Sequence, residues 1–291
     1  MIRELVIISG KGGTGKTSVA ASLACLAQNK VIADCDVDAA DMHLVLQPVV
    51  TQSTVFEGGM KASISSDICT SCGECLRYCR FDAISGDYVV NPISCEGCGV
   101  CAHFCPHEAI EMKRHVSGKW FVSDTRHGPL VHAQLGIAEG NSGKLVTVIK
   151  KKAREIAHEK GCDLIIVDGS PGTGCPVIAT VSGASLVLIV TEPTVSGMHD
   201  LRRVYELACH FNVSTAVCVN KADINPDNVA EIEAFCSNNK ISIAGAIPYD
   251  TDVTRAQIAG KSVVEHSNGP AAQAIEKIWN YISEIISGNS Q

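Results

Sequence analysis

The chain has 291 residues, a formal net charge of −7, 46% hydrophobic residues and only 4% aromatics. That length fits one large domain or one domain carrying an insertion, and the negative charge argues against non-specific nucleic-acid binding, which needs a cationic surface. Fifteen cysteines in a chain that opens on a strand-like run rather than a signal segment point to a cytoplasmic protein with metal or redox chemistry rather than disulfides, and no apolar stretch approaches the roughly 18 residues of a membrane helix.

Residues 5–9 read as a first strand, 16–28 as a helix with Val19, Ala20, Leu23, Leu26 and Ala27 on one face, and 31–36 as a second strand. Between the first strand and the helix, Gly10-Lys11-Gly12-Gly13-Thr14-Gly15-Lys16-Thr17 fits the Walker A pattern in its proper place. Glycines let the backbone curl so that its N–H groups face phosphate oxygens, and the following helix, with Ser18 in its first turn, aims its positive end at the same anion. Lys16 should reach the β- and γ-phosphates and Thr17 should ligate magnesium.

A cysteine-rich stretch follows. Cys69, Cys72, Cys75 and Cys79 recur 26 residues later as Cys95, Cys98, Cys101 and Cys105, and Ala83-Ile84 recurs as Ala109-Ile110 at the same offset. Two copies of one supersecondary unit are the simplest explanation. Gly58-Gly59 and Val116-Ser117-Gly118 read as flexible points bounding an inserted domain at 58–116, with 1–57 and 117–291 forming the host domain. Both runs match the bacterial ferredoxin spacing. In it three close thiolates grip one cube and the fourth ligates the other. One 4Fe-4S cluster would then use Cys69, Cys72, Cys75 and Cys105, the second Cys95, Cys98, Cys101 and Cys79. Two closed zinc sets are the alternative for eight thiolates, but the doubled spacing is more typical of cubes. Arg80 stands where the run usually has proline. His103 and His107 read as surface or helix-face residues.

Beyond the insertion the alternation resumes: a helix over 142–160, strands at 164–168, 186–191, 215–220 and 243–247, helices near 197–211 and 226–238, and a last helix over 270–286. The fold class is therefore α/β, a mostly parallel sheet covered by helices on both faces. Asp168 closes an apolar strand in the Walker B manner and would hold magnesium through water. The last helix has too few Lys and Arg residues for a membrane-surface helix and reads as core packing.

With these motifs in order, the chain outside the insertion resembles the deviant Walker ATPases of the MinD/Mrp group, which includes the nitrogenase iron protein. The resemblance implies that Lys11 reaches a partner subunit's nucleotide, that Asp36 orients water, and that Asp41 is a switch residue, although Asp38 and Asp41 fit helix capping as well. It implies a switch at Asp168-Gly169-Ser170-Pro171-Gly172, with Gly172 meeting the γ-phosphate and Ser170 replacing a frequent proline. It also implies base contacts from Asn220, Lys221, Pro248 and Tyr249. ATP or ADP, Mg2+ and two 4Fe-4S clusters are the implied cofactors. A homodimer formed with ATP and a redox or Fe-S partner protein are the implied partners, with no nucleic acid and no stable membrane insertion. The function implied is ATP-driven gating of electron transfer. A carrier or maturation factor for a metal or Fe-S cluster is the alternative, with Cys175 as a candidate bridging thiol or an inert one. A redox sensor with a purely structural nucleotide is a third reading.

Overall fold

The protein, seen here as a computed structural model, is described over residues 2–136, 139 and 142–288. Its elements in chain order are β1 (Arg3–Ser9), α1 (Lys16–Leu26), β2 (Lys30–Asp34), α2 (Met42–Leu46), β3 (Val49–Ile64), α3 (Glu74–Tyr78), α4 (Val100–His103), β4 (Ile110–Thr125), β5 (Gly128–Leu135), α5 (Ser142–Lys160), β6 (Leu164–Pro171), α6 (Cys175–Val181), β7 (Leu186–Thr191), α7 (Val195–His210), β8 (Thr215–Asn220), α8 (Pro226–Asn238), β9 (Ser242–Ile247), α9 (Thr251–Ile258), α10 (Val263–His266) and α11 (Pro270–Ser287). They form two compact units, Met1–Ser53 with Trp120–Gln134 and Ser142–Gln291, and Thr54–Lys119 with Leu135–Asn141. The chain passes between them along β3 and β4.

The first unit is built on the sheet order β3-β4-β5-β2-β6-β1-β7-β8-β9. The pairs from β5 to β9 run parallel. β4 and β5 are neighbours separated only by Arg126 and His127, a connection short enough only for a hairpin. Strand residues alternate between two faces. Leu5, Ile7, Ile32, Ile166 and Leu188 pack with Leu23, Met42, Ile275, Ile278 and Ile282 of α1, α2 and α11. The alternate residues Val6, Ile8, Ile165 and Val167, also fully or almost fully buried, face the side where α5, α6 and α7 pack on β6, β1 and β7. The aliphatic runs are therefore those of a sheet covered on both sides, and α11 lies in the core as its apolar stripe requires.

In the second unit the 26-residue repeat of the sequence is a repeat of backbone conformation. Ser71 and Gly97 both have positive φ, as do Gly73 and Gly99, and Asp82 and Glu108. Gly73 and Gly99 each stand immediately before a short helix, α3 or α4. The core of this unit is small: Ala62, Ala83, Ile84 and Ile110 packed with Cys75, Cys95 and Cys101.

Two expectations need correction. Gly58-Gly59 and Val116-Ser117-Gly118 are not flexible breaks but lie inside the 16-residue strands β3 and β4. A Cβ on Gly58 would stand 2.8 Å from the Phe56 ring and 2.9 Å from the Ser117 side chain, so this glycine serves close approach within the strand.

Candidate nucleotide site and thiol cavities

Parallel register brings the phosphate loop's partners together. Along β6, Asp168 lies opposite Ile7 of β1 and Asp34 of β2, so both carboxylates stand beside the end of the strand that delivers Gly10. Gly10 has no room for a side chain, since a Cβ would lie 2.2 Å from Asp200 Cβ. Gly15 has φ +85° and a Cβ there would meet Asn220 Nδ2 at 2.3 Å.

Lys16 is buried at the centre. Its Nζ donates to Asp168 Oδ1 at 2.7 Å and to Thr17 Oγ1 at 3.2 Å and pairs with Asp36 Oδ2 at 3.2 Å. Burial alone would lower its pKa, but Asp168 and then Asp36 outweigh burial and raise it. Burial raises Asp36 despite Lys16, and burial together with Asp168 holds Asp34 well above the usual carboxylate range. Among the described residues, Thr14 Oγ1, Asp36 Oδ1 and Asp168 Oδ2 are buried without hydrogen-bond partners. Orphaned buried oxygens at a loop rich in amides fit a missing polar ligand. Two carboxylates and the Thr17 hydroxyl are the hard oxygen set that magnesium prefers, directly or through water.

The remaining expected residues fall around this centre. Gly172, with φ +91°, donates its N–H to Ser9 O at 2.8 Å. Ser18 Oγ accepts from Gln257 Nε2 at 2.9 Å. Asn220 Nδ2 donates to Thr14 O at 2.8 Å, tying its loop to the phosphate loop. Lys221 Nζ bonds Glu192. Pro248 and Tyr249 join in two steps, through Ala222 N to Ile247 O at 2.9 Å and Tyr249 N to Asp223 Oδ1 at 2.6 Å, with the Tyr249 side chain exposed. Lys11 Nζ donates to Ser196 Oγ at 2.8 Å and lies 3.6 Å from Glu192 Oε2.

Asp41 occupies the N-cap position of α2 but makes no side-chain capping bond. Asp34 supplies it, accepting from Met42 N at 3.2 Å through Oδ2 and from Asp36 N at 3.1 Å through Oδ1. Ser170, read as a mere departure from proline, donates to Cys35 O at 2.9 Å and links the segment after Asp168 to the one carrying Asp36. Sequence reasoning missed Asp34, Ser170 and Glu192. Only Asp34 left a signal, an acid at the end of an apolar strand.

The eight run cysteines divide between two cavities. One is lined by Cys69, Cys72, Cys75 and Cys105. The other is lined by Cys79, Cys95, Cys98 and Cys101. Each takes three thiols from one run and the fourth from the other. Among the described residues, no three of these sulfurs lie within 4.8 Å of one another. A tetrahedral zinc with bonds of about 2.3 Å would need sulfurs about 3.8 Å apart, closer together than any three of them stand. Ala83 N donates to Cys79 Sγ at 3.4 Å and Ala109 N to Cys105 Sγ at 3.3 Å, amide-to-sulfur bonds of the kind that tune a cluster. Burial raises the Cys75 and Cys101 thiols, and coordinated metal would reverse that by deprotonating them.

Residues 5–263 match the family described as the CobQ/CobB/MinD/ParA nucleotide binding domain. An uncharacterized protein of Methanocaldococcus jannaschii is 38% identical over 291 residues, 98% of each chain. An iron-sulfur cluster carrier protein of Pyrococcus horikoshii is 27% identical over 161 residues, which span 49% of this chain and 54% of that one. The solved structure of the septum site-determining protein MinD from Pyrococcus horikoshii, complexed with Mg-ADP, aligns over the full length of both chains with a TM-score of 0.62 at 17% identity, a likeness of fold.

Proposed function

The chain belongs to the family of CobQ/CobB/MinD/ParA nucleotide-binding domains, and from that premise we propose that it binds and hydrolyses ATP and that a nucleotide-driven dimer switch gates electron transfer through two 4Fe-4S clusters. The observation that carries the iron–sulfur half is the division of the eight run cysteines, three and one, between two cavities. The clusters, when bound, supply one-electron storage.

In the nucleotide half, Lys16 exchanges its carboxylate partners Asp168 and Asp36 for phosphate oxygens, which leaves those carboxylates free for magnesium and water. Thr17 and Asp168 would hold magnesium, which supplies charge neutralisation at the phosphates. Asp36 orients the attacking water. Lys11, presented at the loop's start, is the cation delivered across a dimer interface to developing charge. Gly172, with the backbone freedom of φ +91°, turns its N–H from Ser9 O toward the γ-phosphate. Asn220, Lys221, Pro248 and Tyr249 form the base-binding side.

The test is anaerobic reconstitution followed by iron and sulfide analysis, EPR of the reduced protein, and light scattering with ATP and Mg2+. About eight irons and eight sulfides per chain are expected, with an ATP-dependent dimer that Lys11→Ala abolishes. Zinc in place of iron and sulfide would sink the redox half; a chain that stays monomeric with ATP and Mg2+ would sink the switch. A second reading, cluster delivery to an acceptor protein, draws on the exposure of Cys72 and Cys98, one in each cavity, and on the carrier named among the relatives. Stoichiometric transfer of cluster to an apo-acceptor would favour it.

A further inference from the structure

One ion-pair cluster in the first unit stands at the roots of both long strands. Arg126 directly follows β4. Its Nε and Nη2 donate to Glu265 Oε1 and Oε2 at 2.7 and 2.9 Å. The same guanidinium donates to Leu46 O at 3.1 Å, Val45 O at 2.8 Å and Gly260 O at 3.1 Å. Val45 and Leu46 close α2, and β3 begins three residues later. At the other end of α2, Met42 N is bonded to Asp34, whose second oxygen holds the Asp36 amide. α2 has five residues, and a helix of little more than one turn has little length over which to absorb a displacement.

Glu265 is committed from every side. It accepts from Ser262 N and Ser262 Oγ at 2.9 Å each, closing the capping box of α10, and pairs with His127 Nε2 at 2.7 Å. Burial pushes its carboxyl up, yet Arg126 and these other donors hold it well below the usual carboxylate range. Cys25, His127 and Glu265 also bring three potential metal-binding atoms within 4.8 Å. That use conflicts with the chemistry present. The carboxylate is already bidentate to Arg126, and burial pushes the Cys25 thiol up to about 12, the opposite of a thiolate ready for metal.

We propose that Arg126 and Glu265 form a staple that carries movement of the Asp34–Asp36 segment, through α2, to the start of β3 and the end of β4, the strands by which the chain reaches its cysteine-bearing unit. Arg126 is a positioning residue in this scheme. The inference rests on the nucleotide-switch reading above and adds the element that transmits it. A guanidinium is needed because it serves two carboxylate oxygens and three carbonyls at once, which a lysine ammonium with three donors cannot do.

The experiment is hydrogen–deuterium exchange of the full chain with Mg2+ and either ADP or a non-hydrolysable ATP analogue, read in peptides covering 10–18, 49–64 and 110–125. Wild type is expected to change with nucleotide in all three. Arg126→Lys and Glu265→Gln, the latter retaining a capping-box side chain, should keep the change at 10–18 and lose it several-fold in both strands. A staple serving stability alone would lower the melting temperature without that selective loss. An unaltered strand response in both variants overturns the proposal, as does stoichiometric zinc in wild type that disappears in Cys25→Ala. A wild type that responds at 10–18 but not in the strands overturns the staple alone. No response at 10–18 overturns the nucleotide reading and the staple with it.

Discussion

Lys16 shares its buried position with carboxylates at 2.7 and 3.2 Å, so its removal strands charge rather than merely deleting a contact. Lys16→Met should destabilise the nucleotide-free chain by roughly 3–5 kcal/mol, the usual cost of leaving a buried charge without its partner, besides stopping turnover. Adding Asp36→Asn should recover part of that loss in a denaturant titration; no recovery would mean the charges are not what matters. The cysteines outside the two runs divide by burial in the same way. Cys175 and Cys209 are exposed, whereas Cys35, Cys218 and Cys236 are buried, with burial pushing Cys218 up to about 12 and Cys236 to about 11. Native alkylation followed by mass spectrometry should label the first two within minutes and the buried three only after unfolding. At this scale Lys16, Asp168 and the cysteine runs were legible because their chemistry depends on spacing along the chain. Asp34 and Ser170 were not, because their partners, Met42 N and Cys35 O, are set by how loops cross in space.

At the scale of elements, most covered strands and amphipathic helices were readable to within a residue or two, and Ser142–Lys160, Leu186–Thr191, Thr215–Asn220 and Pro226–Asn238 fall where their patterns end, whereas β6 runs three residues past 168 and β5, α6 and α9 were not read. The long strands were not readable. β3 lies at the sheet edge and its first residues are exposed, so one face carries no hydrophobic alternation to see. Its glycines looked like breakers although Gly58 is there for close packing. β5 carries the clearest consequence for pH. Burial, with His43 nearby, lowers His132 from 6.5 to about 4, so the fold favours the neutral ring, which bonds Ser123 Oγ at 2.9 Å. Its contribution to stability is full above pH 6.5 and is lost as pH falls toward 4. His132→Gln should flatten the stability profile in that window, measured by urea midpoint against pH; an unchanged slope would contradict the assignment.

At the scale of the molecule, the repeat is the feature that sequence and structure express in the same terms. A 26-residue offset in cysteines becomes matched positive-φ positions at Ser71 and Gly97 and at Asp82 and Glu108. The proposed cross-ligation makes a specific prediction: Cys105→Ser should remove or convert the cluster assigned to Cys69, Cys72 and Cys75 while sparing the other, and Cys79→Ser should do the reverse. EPR of the two singly substituted proteins checks this, since a loss confined to the run that was mutated would reverse the assignment. What the sequence could not reveal is the Arg126–Glu265 pair, formed by residues 139 positions apart.

The central claim is that nucleotide and electrons share one free-energy cycle, and the midpoint potentials of the two clusters test it most directly. They are to be measured anaerobically by EPR-monitored titration, first with ADP and Mg2+ and then with a non-hydrolysable ATP analogue. A shift in at least one cluster is expected, about 59 mV for each tenfold coupling of a one-electron couple. Identical potentials in the two nucleotide states would contradict a shared cycle.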